Sequence, residues 1–195
     1  MSNALLISLA DYSKQFGDYK IPTKIELILD FQNKFPAYAQ WFFLRKEKSS
    51  DFLSSWCDIE ALQTEFCSQI YPFAVANSTG STYAFWDNGI ETELNKMPIL
   101  IFGDEGGLHP VAKNILALLE QLTFDREIIV YEEEVYFSDD NDDEDYTESL
   151  YADEFMAFVK KQFAIEPTED LNKLIENAQN SLKKSFDEWY AKYQI

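Results

Sequence analysis

The chain has 195 residues, of which 46% are hydrophobic and 16% aromatic, so it can bury a substantial core without disulfides or metal ions. Its 35 acidic residues against 16 Lys and Arg give a net charge of −19, which argues against direct binding to nucleic acid or to an anionic membrane. The same charge predicts a basic partner. Because the sequence has no apolar run of about 18 residues and no basic leader, we expect a cytoplasmic protein.

The first third of the chain has the apolar spacing of helices. Helices are predicted at about 3–16 and 23–35, and the second opens with Thr23 and Glu26 spaced as a capping box. Further helical stretches are predicted at about 37–47 and 58–70. Cys57 and Cys67 lie ten residues apart in a helical segment, about 15 Å if fully helical, so we expect free thiols.

From Tyr71 the pattern changes to that of a short antiparallel meander. The strands are "PFAVA", "STYAFWD" and "MPILIF", separated by the turn "NSTG" and by a second turn near Asn88. Tyr83 and Phe85 are predicted on one face, and Thr82, Ala84 and Trp86 on the other. Both faces carry apolar groups, so helices should cover both. Core packing is the expected role of most of the four tryptophans, Trp41, Trp56, Trp86 and Trp189.

The loop "FGDEGG" follows the last of these strands and contains Gly103, Asp104, Glu105, Gly106 and Gly107. It matches neither the dinucleotide fingerprint nor the phosphate loop. Two hypotheses stay open: a structural corner in which Asp104 or Glu105 caps backbone amides, or a recognition loop. We predict a positive φ at Gly106, Gly107 or both.

A helix is predicted directly after this loop, with His109 as its cap and Pro110 at its first position. Val111, Ile115, Leu118, Leu119 and Leu122 would form its apolar face. One or two strands in "REIIVYEEEVYF" and helices at about 150–164 and 168–192 complete the predicted single domain, which spans residues 1–195.

Residues 127–154 contain thirteen acids and no Lys or Arg, with an acidic loop insertion expected at about 138–148. A calcium loop beginning at Asp139 fails because Glu144 takes the glycine position and Leu150 the position of the final Glu. A frame beginning at Asp140 fails in the same way. The run is therefore either a solvated loop or a surface that docks a basic partner.

Catalytic and metal motifs are weak in this sequence. His109 is the single histidine, and no GxSxG elbow accompanies it. Cys57, Cys67 and His109 lack the close spacing of a zinc site. We therefore predict no catalytic residue, metal or cofactor.

The stretches "YPFAVANSTGSTYAFWDNG" and "MPILIFGDEGGLHPVAKNILALLEQLTFD" together resemble the SUKH superfamily of bacterial immunity proteins, which also includes a fungal regulator of cell-wall synthesis. The similarity runs from Tyr71 to Asp125 and lies in the order of parts: small-residue turn, aromatic strand ending in Trp-Asp, Pro-led strand, "FGDEGG" loop and Val-Ala-x-Asn helix. The N-terminal helices lack the Leu-Pro and Asn-Gly-Gly landmarks common in the superfamily.

This resemblance implies an α+β fold, with an antiparallel sheet flanked by N-terminal and C-terminal helices, in agreement with the periodicities. It also implies that the sheet and its adjoining loops bind a partner protein, and it implies no catalytic residue. The expected function is stoichiometric occlusion of a toxin's effector domain, for which a nuclease with a basic cleft is one candidate. The alternatives are a regulatory scaffold like the fungal branch, or a hydrolase that uses His109. Seven acids are the candidate partner-binding residues: Asp87, Asp104, Glu105, Asp139, Asp140, Asp142 and Asp143.

Overall fold

The computed structural model describes residues 6–46, 51–138, 146–167 and 170–195. Within these ranges the fold is α+β, with seven α-helices, a five-stranded antiparallel sheet and a separate two-stranded sheet. The predicted fold class is confirmed. The strands are β1 (Phe43–Leu44), β2 (Ile70–Val75), β3 (Thr82–Trp86), β4 (Ile99–Phe102), β5 (Leu108–Ala112), β6 (Ile128–Val130) and β7 (Val135–Phe137). The helices are α1 (Leu9–Tyr12), α2 (Thr23–Lys34), α3 (Asp51–Ser54), α4 (Gln63–Ser68), α5 (Ile115–Leu122), α6 (Ala152–Phe163) and α7 (Leu171–Tyr190).

Strands β1 to β5 lie in the sheet in the order of the sequence, and each pairs antiparallel with its neighbour. The register places Thr82 opposite Phe102 and Phe85 opposite Ile99. This is the meander that the alternation of apolar residues predicted. Strands β6 and β7 form the separate hairpin, as the sequence "REIIVYEEEVYF" indicated.

Both faces of the large sheet are buried, as the alternation in β3 predicted. On one face, Tyr83 and Phe85 belong to a core that includes side chains of α1, α2, α5 and α6. On the other face, Trp86 belongs to a second core, together with Phe186 and Trp189 of α7. The indole N–H of Trp189 also donates to the side-chain oxygen of Gln69 at 2.9 Å, which fixes α7 to the end of α4. The sheet is therefore a rigid support for its connecting loops.

The prediction of a helix opening at His109 and Pro110 is wrong. Residues 108–112 form the edge strand β5, in which Pro110 lies opposite Leu100. An edge strand tolerates proline because the missing N–H is not needed on its unpaired side. Helix α5 begins only at Ile115, where the side chain of Asn114 caps the amides of Leu116 and Ala117.

The predicted helix at 37–47 is also wrong. Ala37 and Trp41 have positive φ angles of 61° and 54°, which interrupt any right-handed helix, and the chain then enters β1. Trp41 is 56% exposed rather than part of the core. The first helix is shorter than predicted, since α1 passes into a 3₁₀ turn at Ser13–Phe16, and the 58–70 segment is a 3₁₀ turn followed by α4.

Three further helices, α2, α6 and α7, agree with the sequence patterns within a few residues. The predicted capping box of Thr23 and Glu26 does not form, because Pro22 is the N-cap of α2 and no side-chain bond caps it. Cys57 and Cys67 are free thiols, as expected. Four of the candidate acids, Asp139, Asp140, Asp142 and Asp143, lie outside the described residues.

Candidate functional site

The glycine loop joins β4 to β5 and is a structural corner. The amide of Gly103 donates to the carbonyl of Gly107 at 2.9 Å, which closes the hairpin. Gly106 and Gly107 have φ angles of 108° and 88°, so the predicted positive φ is confirmed at both. At Gly103 a side chain would overlap the carbonyl oxygen of Gly106 and come within 2.8 Å of Val130. Gly103 therefore has no room for a side chain, and Gly106 and Gly107 have a backbone conformation that favours glycine.

Asp104 binds the turn between β2 and β3. One of its carboxylate oxygens lies 2.5 Å from the hydroxyl oxygen of Thr79 and 2.9 Å from that of Ser81. Burial by itself would raise the pKa of Asp104, but the hydrogen bonds from Thr79, Ser81 and its own amide outweigh it, so the pKa lies below its usual value. The carboxylate thus receives the side-chain hydroxyls of the β2–β3 turn and its own amide, whereas the corner hypothesis expected it to cap amides of its own loop or of a following helix.

The same turn is fixed on its other side to the β6–β7 hairpin. The side-chain oxygen of Asn77 accepts hydrogen bonds from the amides of Gly80 and Ser81, and its NH₂ group donates to the carbonyl of Ile128 at 3.1 Å. The amide of Ser78 donates to the carboxylate of Glu127 at 2.7 Å. These bonds hold the turn in one orientation.

The glycine loop and the turn of the β6–β7 hairpin are also in direct contact. A ring nitrogen of His109, Nε2, donates to the carbonyl oxygen of Tyr131 at 2.8 Å. A side chain at Gly107 would overlap that same oxygen. His109 of β5 is therefore part of the contact with the turn of the β6–β7 hairpin, and it does not cap a helix.

Three loops consequently meet at one end of the large sheet, and we name them together the acidic loop surface: residues 77–81, 103–107 and 131–134. With Glu127, it carries six carboxylates, those of Asp104, Glu105, Glu127, Glu132, Glu133 and Glu134. The segments 77–81, 103–109 and 127–134 contain no Lys or Arg. Except for the half-buried Glu127, these acids are exposed. The arrangement is a concentrated negative potential on a rigid support.

Asp87 lies at the opposite end of the sheet. It follows β3, whereas Asp104 lies beside Ser81 at the beginning of that strand, so about six residues, or ~20 Å, separate them. The carboxylate of Asp87 accepts a hydrogen bond from the hydroxyl of Tyr19 at 2.6 Å and from the amide of Gly89 at 2.9 Å. Burial and the hydrogen bond to Asp87 raise the pKa of Tyr19. Asp104 and Glu105 are thus brought together, and Asp87 is not part of their surface.

Sequence reasoning missed several residues of the acidic loop surface. In the sequence, Thr79 is predicted only as a turn residue, Ser81 only as the start of a strand, and Glu132, Glu133 and Glu134 only as part of a charge run. The signal for the glutamates was present, because three consecutive acids between two short apolar strands are typical of a solvent-facing hairpin turn.

Within the described residues, no group of three or more His, Cys, Asp and Glu side chains could hold a metal ion. No helix among those residues is both long enough and apolar enough to cross a membrane. Comparisons of the chain with protein-family models, with curated proteins and with solved structures found no match.

Proposed function

We propose that this chain is an immunity protein of the SUKH type, which binds a basic effector domain of a bacterial toxin in the cytoplasm and occludes it stoichiometrically, without chemistry of its own. The observation that carries the proposal is the acidic loop surface: three loops held by Asn77, Asp104, Gly107 and His109 that present carboxylates from one end of a buried sheet.

Rigidity and charge both suit such a role. Because the loops are bonded to one another, little conformational entropy is lost when a partner binds. Carboxylates of one sign attract a basic protein over a distance of about 10 Å at 0.1 M salt and accelerate association. A nuclease effector is the most natural target in this scheme, since its phosphate-binding cleft is basic and acidic groups would compete there with the substrate.

The decisive experiment begins with the gene that adjoins the coding sequence of this chain. That gene is expressed with and without the chain, and immunity predicts that growth arrest is relieved only when the chain is present and that the two proteins form a 1:1 complex. If no adjoining gene encodes a toxin and none arrests growth, the regulatory-scaffold alternative replaces immunity.

Charge variants then identify the surface. Neutralising Glu105, Glu132 and Glu133 to Gln should slow association with the purified effector several-fold at low salt, and the effect should fade above about 0.5 M salt. The matched control changes net charge equally but elsewhere, at Asp30, Glu60 and Glu176. Equal slowing by both triple variants would show that only net charge matters and would remove the acidic loop surface from the proposal.

A second variant set tests the acidic insertion separately. Replacing Asp139, Asp140, Asp142 and Asp143 with Asn should also slow association several-fold at low salt if the insertion steers the partner. An unchanged rate would leave the insertion as a solvating segment and assign recognition to the acidic loop surface alone.

A further inference from the structure

A groove of about 780 Å³ opens beside β1, between residues 36–45 on one side and residues 147–150 on the other. We name it the β1 groove. Large apolar side chains line it while remaining strongly exposed: Leu6 at 74%, Trp41 at 56%, Phe43 at 46% and Leu150 at 74%. Exposed apolar side chains that converge in one concave site mark a binding surface, whereas isolated ones do not.

The backbone of Trp41, whose side chain lines the groove, has an unusual conformation. Trp41 has a φ of 54°, and the next residue, Phe42, is buried and packs against Tyr38 and Tyr83. A left-handed conformation costs a bulky residue roughly 1 kcal/mol or more, so it persists only where the surroundings enforce it. The anchored Phe42 therefore holds the backbone of its exposed neighbour Trp41 in place.

The opposite wall is fixed by hydrogen bonds to a buried carboxylate. Asp125, which is 5% exposed, accepts hydrogen bonds from the amide of Ser149 at 2.7 Å and from the hydroxyl of Tyr146 at 3.2 Å. The side chain of Gln40 donates across the groove to the carbonyl of Thr147 at 2.7 Å. The groove is thus preformed, which lowers the entropic cost of filling it.

Strand addition is not how this groove binds a partner. The outward-facing amide and carbonyl of Leu44, which an added strand would use, are already bonded to the side chain of Gln32 at 2.5 and 2.8 Å. A blocked edge leaves side-chain contacts as the means of recognition. Trp41, Phe43 and Leu150 are the groups that can make them.

Charge selects the occupant. The wall at residues 147–150 belongs to the stretch 127–154, which contains thirteen acids and no Lys or Arg. A second copy of this chain would add another net charge of −19, and nucleic acid or an anionic membrane would also be repelled. The ionisable side chains that line the groove are Arg45 and Glu148, so it is the net charge of −19 on the whole chain, rather than the lining itself, that favours a basic polypeptide as the occupant.

The groove also lies next to the acidic loop surface. Phe43 pairs with Val75, two residues before Asn77, where the β2–β3 turn begins. Two strand residues span about 7 Å, so a single partner can reach both surfaces.

We propose that the β1 groove binds an exposed segment of a basic partner, with an aliphatic or aromatic side chain between Trp41 and Leu150 and with flanking Lys or Arg side chains facing Glu148. The inference rests on the proposed function to the extent that this partner is the toxin's effector domain.

The test uses the full chain and three fluorescein-labelled peptides, followed by anisotropy. The peptide Lys-Leu-Lys-Phe-Leu-Lys should bind at least tenfold more tightly than Lys-Ser-Lys-Ser-Ser-Lys and than Glu-Leu-Glu-Phe-Leu-Glu. Trp41→Asn, which keeps a residue that tolerates positive φ, and Leu150→Ser on the other wall should each weaken binding about tenfold. Ile90→Ser is the control, since Ile90 is 73% exposed and lies outside the groove. It should change binding by less than twofold.

Binding of the first peptide within twofold of wild type for both Trp41→Asn and Leu150→Ser would overturn the inference, as would equal binding of all three peptides. Dimers that sediment for the wild type but not for Trp41→Asn would overturn it in favour of a second copy. With the effector itself, neutralisation that is lost in the acidic-surface variants but kept in the groove variants refutes the groove inference and leaves the proposed function in place. Groove-dependent peptide binding without any effector neutralisation supports the groove and refutes immunity.

Discussion

Gly106 and Gly107 provide a matched test of how the acidic loop surface is held. Both have positive φ, but a methyl group at Gly106 would meet open space, whereas at Gly107 it would lie 2.7 Å from the carbonyl carbon of Tyr131 and closer still to its oxygen. The two Gly→Ala variants therefore share the same kind of backbone strain and differ in the steric clash.

The expected magnitudes follow from this difference. Strain at a positive φ costs Ala about 1–2 kcal/mol, and the lower entropy of the unfolded chain offsets about 0.4–1 kcal/mol of it. Gly106→Ala should therefore lose about 1 kcal/mol. Gly107→Ala must in addition displace the β6–β7 turn and break the bond between His109 and Tyr131, so we expect a loss of about 3 kcal/mol.

Equilibrium unfolding in urea measures both losses. With a slope of about 2 kcal/mol/M, the unfolding midpoint should fall by about 0.5 M for Gly106→Ala and about 1.5 M for Gly107→Ala. Midpoints that agree within about 0.2 M would refute the contact between the glycine loop and the Tyr131 carbonyl, and with it the account of the three loops as one rigid unit.

Three further predictions concern individual side chains. Asn114→Ala should cost about 1 kcal/mol in urea unfolding because it removes the cap of α5, whereas Lys113→Ala, at an exposed neighbouring position, should be nearly neutral. Gln32→Ala should cost about 1–3 kcal/mol of stability, because the outer amide and carbonyl of Leu44 lose their partner. It should also promote aggregation, measured by light scattering. A variant as stable and soluble as the wild type would contradict this edge-capping role. The folded-state pKa of Asp104 lies below its unfolded value, so its ionised form stabilises the fold above about pH 4. This contribution is lost as the pH falls through the folded pKa. Asp104→Asn should therefore destabilise the protein more at pH 6 than at pH 3.

The sheet was predictable because its signal is local. Alternation in "STYAFWD" reports the two faces of β3 directly, and helices with long apolar stripes, such as α7, were equally visible. Strand β5 and the segment 37–47 were not predictable in this way. Pro110 suits both a helix start and an edge strand, and the positive φ of Ala37 and Trp41 is imposed by tertiary packing at residues that carry no local signal for it.

The acidic loop surface was predictable only in part. The "FGDEGG" loop could be recognised from its glycines, but Asp104 binds Thr79 and Ser81, which lie more than twenty residues earlier in the chain. Such contacts depend on strand register, which a single sequence does not specify across a turn of unknown geometry. The opposite position of Asp87 needs no register, because Asp87 follows β3 and Asp104 follows β4, and the ends of two antiparallel neighbours lie at opposite ends of the sheet.

Because α7 lies near the end of the described chain, it can cover its face of the sheet only late in synthesis. Trp86 and Phe102 are buried on the face that Phe186 and Trp189 help to cover, and roughly 84 residues separate Phe102 from Phe186. At translation rates of about 5–20 residues per second, this interval lasts about 4–17 s. During it, a nascent chain with a formed meander has an apolar sheet face that side chains of α3 and α4 cover only in part. Chaperone occupancy on the ribosome should therefore peak within this interval and fall when Trp189 emerges.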